Sequence, residues 1–229
     1  MDQADEKSLL EIVVLVSGSG SNLQAIMDTA QRGDIAARVR TVISDQPTAF
    51  GLQRAANAGV AQECLPGSDY PDRASYDAAL ARRLEELAPD LIVLAGFMRI
   101  LTADLVNAWQ GRMLNIHPSL LPDYRGLHTH RRVLEAGETY HGTTVHFVTE
   151  ELDGGPLIAQ SRLRIGADDD EQSLVRRVLA MEHRMYPQVI GWIAQGRLRL
   201  DEGQVELDGK IIERPVLIDE EHYADEARA

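Results

Sequence analysis

The chain has 229 residues, 44% hydrophobic and 26% charged, enough to bury a sizeable core within one large domain. Its formal net charge of −13 argues against nucleic acid or an anionic membrane as a partner, since both need a basic face, and no run of eighteen apolar residues or secretory leader layout appears. The single cysteine, Cys64, has no partner for an internal disulfide, so it is expected as a buried, inert thiol in a reducing, cytoplasmic compartment.

Apolar runs alternate with amphipathic stretches, the pattern of strands and helices around a mostly parallel sheet. The first run, Ile12 to Val16, is short and continuous, as a central strand buried on both faces should be. It leads into Ser17-Gly18-Ser19-Gly20 and a helix predicted over Ser21 to Arg32, ended by Gly33. A strand at Val39 to Ser44, a helix at Phe50 to Ala58 closed by Gly59, and a strand at Gln62 to Leu65 come next. The following helix spans Ala74 to Leu87 and is stopped by Pro89; strand Leu91 to Ala95 then delivers the loop Gly96-Phe97-Met98-Arg99. A helix from Thr102 to Trp109 precedes strand Arg112 to Ile116, where the chain emerges as His117-Pro118-Ser119-Leu120-Leu121-Pro122. Beyond it lie a short helix at Thr129 to Ala136, strand Gly142 to Val148, a turn at Asp153-Gly154-Gly155, and strand Pro156 to Leu163. The acids Asp168 to Glu171 suit the start of a long helix ending near Gly196, through capping and the helix dipole. Glycines 203 and 209 suggest a terminal hairpin with a frayed acidic end.

Three loops can carry chemistry. Ser17 to Asn22 sets unobstructed backbone N–H groups and hydroxyls at a helix N-terminus, which suits a phosphate, although a tight structural turn has the same composition. It lacks the third glycine of a dinucleotide fingerprint, Leu23 standing there, and has no Gly-Lys-Ser/Thr of a Walker loop. The charge is uneven: residues 1–11 carry −3 and residues 201–229 carry −7, leaving −3 on 12–200, so local donors must meet any anion. In the second loop, strand alternation puts Asn115 and His117 on one side, an amide and an imidazole able to converge on a developing oxyanion. The third presents Asp153 on a Gly-Gly turn, where it could orient an imidazole such as that of His117 or simply form the turn. His128-Thr129-His130 lacks the further close ligand of a familiar zinc spacing, so no metal is expected. His146 fits either a cleft wall or a satisfied strand position, Arg99 either a carboxylate partner or a packed stem, and Trp109 and Trp192 the core.

Taken together, Ser17 to Gln24, Ala95 to Leu101, Leu114 to Pro122, Gly126 to His130, His141 to Val148 and Asp153 to Pro156 resemble the phosphoribosylglycinamide formyltransferase family over residues 11 to 200. The resemblance implies an α/β, Rossmann-like fold: a mostly parallel twisted sheet with helices on both faces. It implies direct transfer of a formyl group from 10-formyltetrahydrofolate to the amine of 5'-phosphoribosylglycinamide through a tetrahedral intermediate. By the same resemblance Gly20, Ser21 and Asn22 hold the acceptor's phosphate and Glu182 its glycinamide end. The folate lies near Arg73, along Met98, Arg99, Ile100 and Leu101, and against Asn115 and the loop from Val148 to Asp153. Asn115, His117 and Asp153 match the catalytic trio, and the family admits a homodimer. The implied organisation is an acidic extension over 1–10, a phosphate-binding half over 11–110, a catalytic and folate-binding half over 111–200, and an acidic hairpin or tail over 201–229. The related formyltetrahydrofolate deformylases carry an extra N-terminal regulatory domain, and methionyl-tRNA formyltransferases a basic C-terminal one, where this tail is acidic. A non-catalytic folate- or phosphometabolite-binding module would not need Asn115, His117 and Asp153 together.

Overall fold

Alternation along the first strand, β1 (Leu10–Val16), decides the layering. Its residues 12 to 16 are all fully buried, yet they serve two separate cores: Ile12, Val14 and Val16 join one, Val13 and Leu15 the other. Only a central strand covered on both faces divides its side chains this way. In the computed structural model, which describes residues 9–218, the helices supplying those two covers are distinct. On one side lie α1 (Ser21–Arg32), α2 (Phe50–Asn57) and α6 (Glu171–Ala194); on the other lie α3 (Arg73–Leu87) and α4 (Ala103–Ala108). A short α5 (Thr129–Glu135) packs Leu134 against a third cluster with Leu174, Val178 and Met181 of α6.

The other strands are β2 (Ala37–Ser44), β3 (Ala61–Cys64), β4 (Leu91–Leu94), β5 (Met113–His117), β6 (Tyr140–Phe147), β7 (Leu157–Arg164), β8 (Leu198–Asp201), β9 (Gln204–Leu207), β10 (Lys210–Ile211) and β11 (Val216–Leu217). Eight of them form one sheet in the order β11-β7-β6-β5-β4-β1-β2-β3. From β3 to β5 all neighbours are parallel; β5, β6 and β7 are antiparallel, and β11 runs parallel to β7. The chain is thus α/β with a mostly parallel sheet and helices on both faces. After β1 the chain builds outward through β2 and β3, then returns to place β4 on the opposite side of β1. Loops leaving the carboxyl ends of β1 and β4 therefore diverge and leave a crevice between them, where open α/β sheets bind ligands.

Local chemistry explains most boundaries. Gly33 ends α1 in the left-handed conformation with φ 78°, and α6 begins with a reciprocal cap in which Asp170 Oδ1 accepts from Ser173 N at 2.7 Å while Asp170 N donates to Ser173 Oγ at 2.9 Å. Such a cap is worth about 1 kcal/mol and accounts for the acids that precede the helix. Strand β5 runs one residue beyond the predicted end, because His117 still pairs with Thr144 of β6. The tail holds more than a hairpin. β8, β9 and β10 form their own three-stranded sheet, and β11 then returns to the main sheet, with Ile218 buried and its N–H donated to Gln160 O at 2.9 Å. The frayed end expected further on, and residues 1–8 of the N-terminal extension, lie outside the described residues. Trp109 and Trp192 are core residues, as expected. Cys64 is only partly buried, because β3 is an edge strand; burial and the charges of Asp45 and Asp69 push its thiol pKa up, so it stays protonated.

Candidate active site

The crevice is built from three loop ends. At the end of β1, Gly20 takes φ 69°, a conformation that strains any residue with a Cβ, and a Cβ here would lie 2.6 Å from the Gly51 Cα. This glycine is also the N-cap of α1 and supplies no side-chain cap, so first-turn N–H groups, including those of Ser21 and Asn22, have no capping oxygen and add to the positive end of the helix. They open on a cavity of about 290 Å³ whose walls include Ser17, Gly20, Ser21, Asn22 and Glu182. The Asn22 side chain does something the sequence did not suggest: it is buried and donates from Nδ2 to Glu182 Oε2 at 2.7 Å, with Oδ1 left without a partner. One N–H of that amide is therefore committed to Glu182, and the backbone N–H is what Asn22 contributes to the helix N-terminus.

Glu182 projects from the middle of α6 and is 4% exposed. Burial pushes its carboxyl up to about 7 despite hydrogen bonds from Asn22 and from Thr143 Oγ1, the latter at 3.3 Å. Thr143 also lies 3.0 Å from His117 O, which its hydroxyl can donate to. The Thr143 hydroxyl thus stands between the Glu182 carboxyl and the backbone carbonyl of His117, and its single proton serves one of the two at a time.

At the end of β5, Asn115, His117 and Asp153 converge. His117 Nδ1 lies 3.4 Å from Asp153 Oδ2, and Asn115 Nδ2 lies 3.4 Å from Asp153 Oδ1. The other imidazole nitrogen, His117 Nε2, is 3.0 Å from the Tyr124 carbonyl, so the two ring nitrogens face a carboxylate on one side and a carbonyl on the other. Asp153 itself is held in place from two directions. Its backbone adopts φ 50°, and its Oδ2 accepts the Gly126 N–H at 2.9 Å. His146 is a buried wall of this cluster. It donates Nδ1–H to Phe147 O at 2.8 Å and accepts from Asn115 Nδ2 at 3.2 Å, and burial lowers its pKa, so the ring is neutral.

The trio faces a second cavity of about 460 Å³, walled by Met98, Arg99, Ile100, Leu127, Leu152 and the trio itself. Met98, Ile100, Leu127 and Leu152 are half or more exposed, unusual for large apolar side chains that share one rim. A narrower recess of about 100 Å³ continues from it along Leu101, Asn115, Val148 and the 150–153 turn. The two main cavities share Gly96, Met98, Ile116, Pro118 and His130 as a common wall. Of its two alternatives Arg99 takes the carboxylate: its guanidinium stands 3.9 Å from Asp45 Oδ2 and stacks 3.9 Å over the Tyr76 ring. Arg73, at the first turn of α3, is exposed and lines neither cavity.

His130 accepts or donates at 2.9 Å to His141, edge-on; the pair is a part-buried imidazole contact, and no group of three possible metal ligands occurs among the described residues. Sequence reasoning did not single out Asp45, Thr143 or the Tyr124 carbonyl. For Asp45 a signal existed: it follows the predicted strand ending at Ser44, and polar residues at the carboxyl ends of parallel strands face the ligand crevice.

A family model described as formyl transferase matches residues 10–190. The chain is 52% identical over 201 residues to phosphoribosylglycinamide formyltransferase of Escherichia coli (strain K12), covering 88% of this chain and 95% of the relative. It is 45% identical to the protein of that name from Haemophilus influenzae, with coverage of 88% and 95%. The solved structure of phosphoribosylglycinamide formyltransferase from Coxiella burnetii superimposes with a TM-score of 0.87 at 48% identity, covering 91% of this chain and 99% of the other. With the crevice, the trio and these likenesses in agreement, the chain belongs to the formyl transferase family.

Proposed function

We propose that this protein moves a formyl group from 10-formyltetrahydrofolate to the amine of 5'-phosphoribosylglycinamide, a step of purine biosynthesis carried out in the cytoplasm. What supports the reading above all is the convergence of Asn115, His117 and Asp153 within 3.4 Å contacts on the apolar cavity, beside Ile116 and Pro118, which that cavity shares with the phosphate-suited one. Backbone N–H groups of Gly20, Ser21 and Asn22 hold the phosphate at the N-terminus of α1. Glu182, as an anion, takes the glycinamide end, and the unpartnered Asn22 Oδ1 beside it accepts from a donor on the same ligand. The pterin fits the 460 Å³ cavity, whose exposed apolar rim of Met98, Ile100, Leu127 and Leu152 it would cover. Arg99, Leu101 and Val148 bound that side, with Arg73 further out towards the acidic end of the folate. Residues 11–110 thus supply the phosphate loop and the Met98 to Leu101 part of the folate wall, residues 111–200 supply the trio and Glu182, and from 201 the described chain packs back onto the main sheet through β11 and Ile218.

Asn115 and the charged His117 donate to the formyl oxygen as it gains negative charge. Their contacts to Asp153 are long, so a ligand oxygen can replace them at little cost. Asp153 keeps the imidazolium balanced and, through water, carries a proton from the attacking amine towards the departing folate nitrogen. No covalent link to the protein forms. Loss of one such donor typically costs on the order of 100- to 1000-fold in turnover. Steady-state transfer assays, followed at the folate chromophore, should therefore show that loss for His117→Ala and for Asn115→Ala with the fold intact by circular dichroism. Near-normal turnover of either variant would remove that residue from the mechanism.

A further inference from the structure

Asp45 follows β2, is 3% exposed, and has no part in the steps above. Its Oδ1 accepts the Ser17 hydroxyl proton at 2.6 Å, and its Oδ2 accepts from Gln46 Nε2 at 3.0 Å. A hydroxyl has one proton to give. Because Asp45 takes it, Ser17 Oγ must turn a lone pair outward, and Met98 N–H donates to it at 2.9 Å. Ser17 N donates in turn to Gly96 O at 3.1 Å. The ends of β1 and β4 are thereby joined by two hydrogen bonds across the crevice, and the polarity of one of them is set by Asp45.

The same carboxylate reaches the folate side by a second route. Arg99 Nη1 lies 3.9 Å from Asp45 Oδ2, and the guanidinium is pressed between Tyr76 and the backbone of Gly67, where a Cβ would collide with it. Gly67 N donates to Asp45 O at 3.1 Å, which fixes that backbone too. Ser17 lines the phosphate-side cavity, Arg99 the folate-side cavity, and Met98 both.

We infer that Asp45 is a positioning residue that couples the two substrate sites, setting the phosphate loop through Ser17 and the folate wall through Met98 and Arg99. The inference rests on the formyl-transfer reading above. It predicts effects on substrates that Asp45 itself does not touch.

Ser17→Ala removes the hydroxyl that bridges Asp45 and Met98. It should raise KM for both substrates by roughly 10- to 150-fold, the range set by losing a hydrogen bond to a charged group, with kcat at saturation within about threefold. The folate KM is the diagnostic readout, since a Ser17 acting only by contact would move the phosphoribosyl KM alone. Asp45→Asn keeps an acceptor for Ser17 but loses the attraction for Arg99, so it should raise the folate KM and leave the other near the parent value. In Asp45→Ala both routes fail, and adding Ser17→Ala should change the phosphoribosyl KM little further. The inference is overturned if Ser17→Ala moves only the phosphoribosyl KM, if kcat falls with both KM values unmoved, or if the two alanine effects multiply. Should Asp45→Ala not fold, Ser17→Ala and Asp45→Asn still separate the two routes. A parent enzyme without formyl transfer would refute the functional reading itself; an active parent with unresponsive variants would refute only the coupling.

Discussion

Replacing Glu182 by glutamine should make the protein more stable in alkali while impairing its activity. The carboxyl is 4% exposed and pushed up to about 7 by burial, against an ordinary value of 4.5. A carboxylic acid whose folded pKa is raised binds its proton more tightly when folded. Its contribution to stability is therefore full below pH 4.5 and is lost as pH rises through 7. The gap corresponds to about 3 kcal/mol at pH 8 and above, at 1.36 kcal/mol per tenfold change in proton affinity. Glutamine is neutral at every pH, can accept from Asn22 Nδ2 as Glu182 does, and can donate to Thr143 Oγ1. Compared with the parent, Glu182→Gln should thus gain about 2 to 3 kcal/mol between pH 5 and pH 8.5. For a chain of this size that is a difference in Tm that widens by roughly 4 to 10 °C over the same interval. Thermal unfolding followed by circular dichroism at five or six pH values measures it, and formyl transfer on the same samples should fall. A Tm difference that stays flat with pH, or a variant less stable than the parent at pH 8.5, would refute the buried-charge argument. The trade of stability against function is what a carboxylate kept dry for an incoming amine should show.

Two further perturbations test other parts of the site. Gly20→Ala puts a Cβ 2.6 Å from the Gly51 Cα at φ 69°, and left-handed strain plus overpacking should cost about 2 to 4 kcal/mol, read as a lower midpoint in urea, with a raised KM for the phosphoribosyl substrate; an unchanged midpoint would mean that the loop shifts freely. His141, held at about 4 by burial and by its His130 neighbour, stabilises the fold fully above its ordinary value of 6.5 and loses that contribution as pH falls towards 4. Between pH 7 and 5 the parent should therefore lose about 2 kcal/mol more than His141→Gln, and equal losses would show that the pair is not a buried neutral contact.

The regular elements were legible because their signals are local. Continuous Val/Ile/Leu runs, glycine stops and the acids before α6 each act over a few residues, and α1 begins and ends where Ser21 and Gly33 predict. The pairing of Asn115 with His117 follows from strand alternation and needed only the strand to be recognised. Long-range relations were not legible in the same way. Nothing near Asn22 in the chain shows that its amide turns to a carboxylate 160 residues away. The two-residue strand β11 has no period to read, and its place beside β7 is decided by burial of Ile218. For Asp45 the sequence shows only its place after a strand, since its weight comes from Ser17 and Arg99, which the topology brings to it from other strand ends.

Asp153 illustrates how closely architecture and reactivity can be fused. One of its oxygens faces the imidazole and also fastens the Gly126 backbone, so the loop bearing Leu127 and His128 is anchored by the same carboxylate that faces the ring proposed to react. Loop order and the proposed proton traffic would have a single point of failure. An asparagine at this position would still anchor the loop, whereas an alanine would release it, and the ratio of their rate losses divides scaffolding from electrostatics.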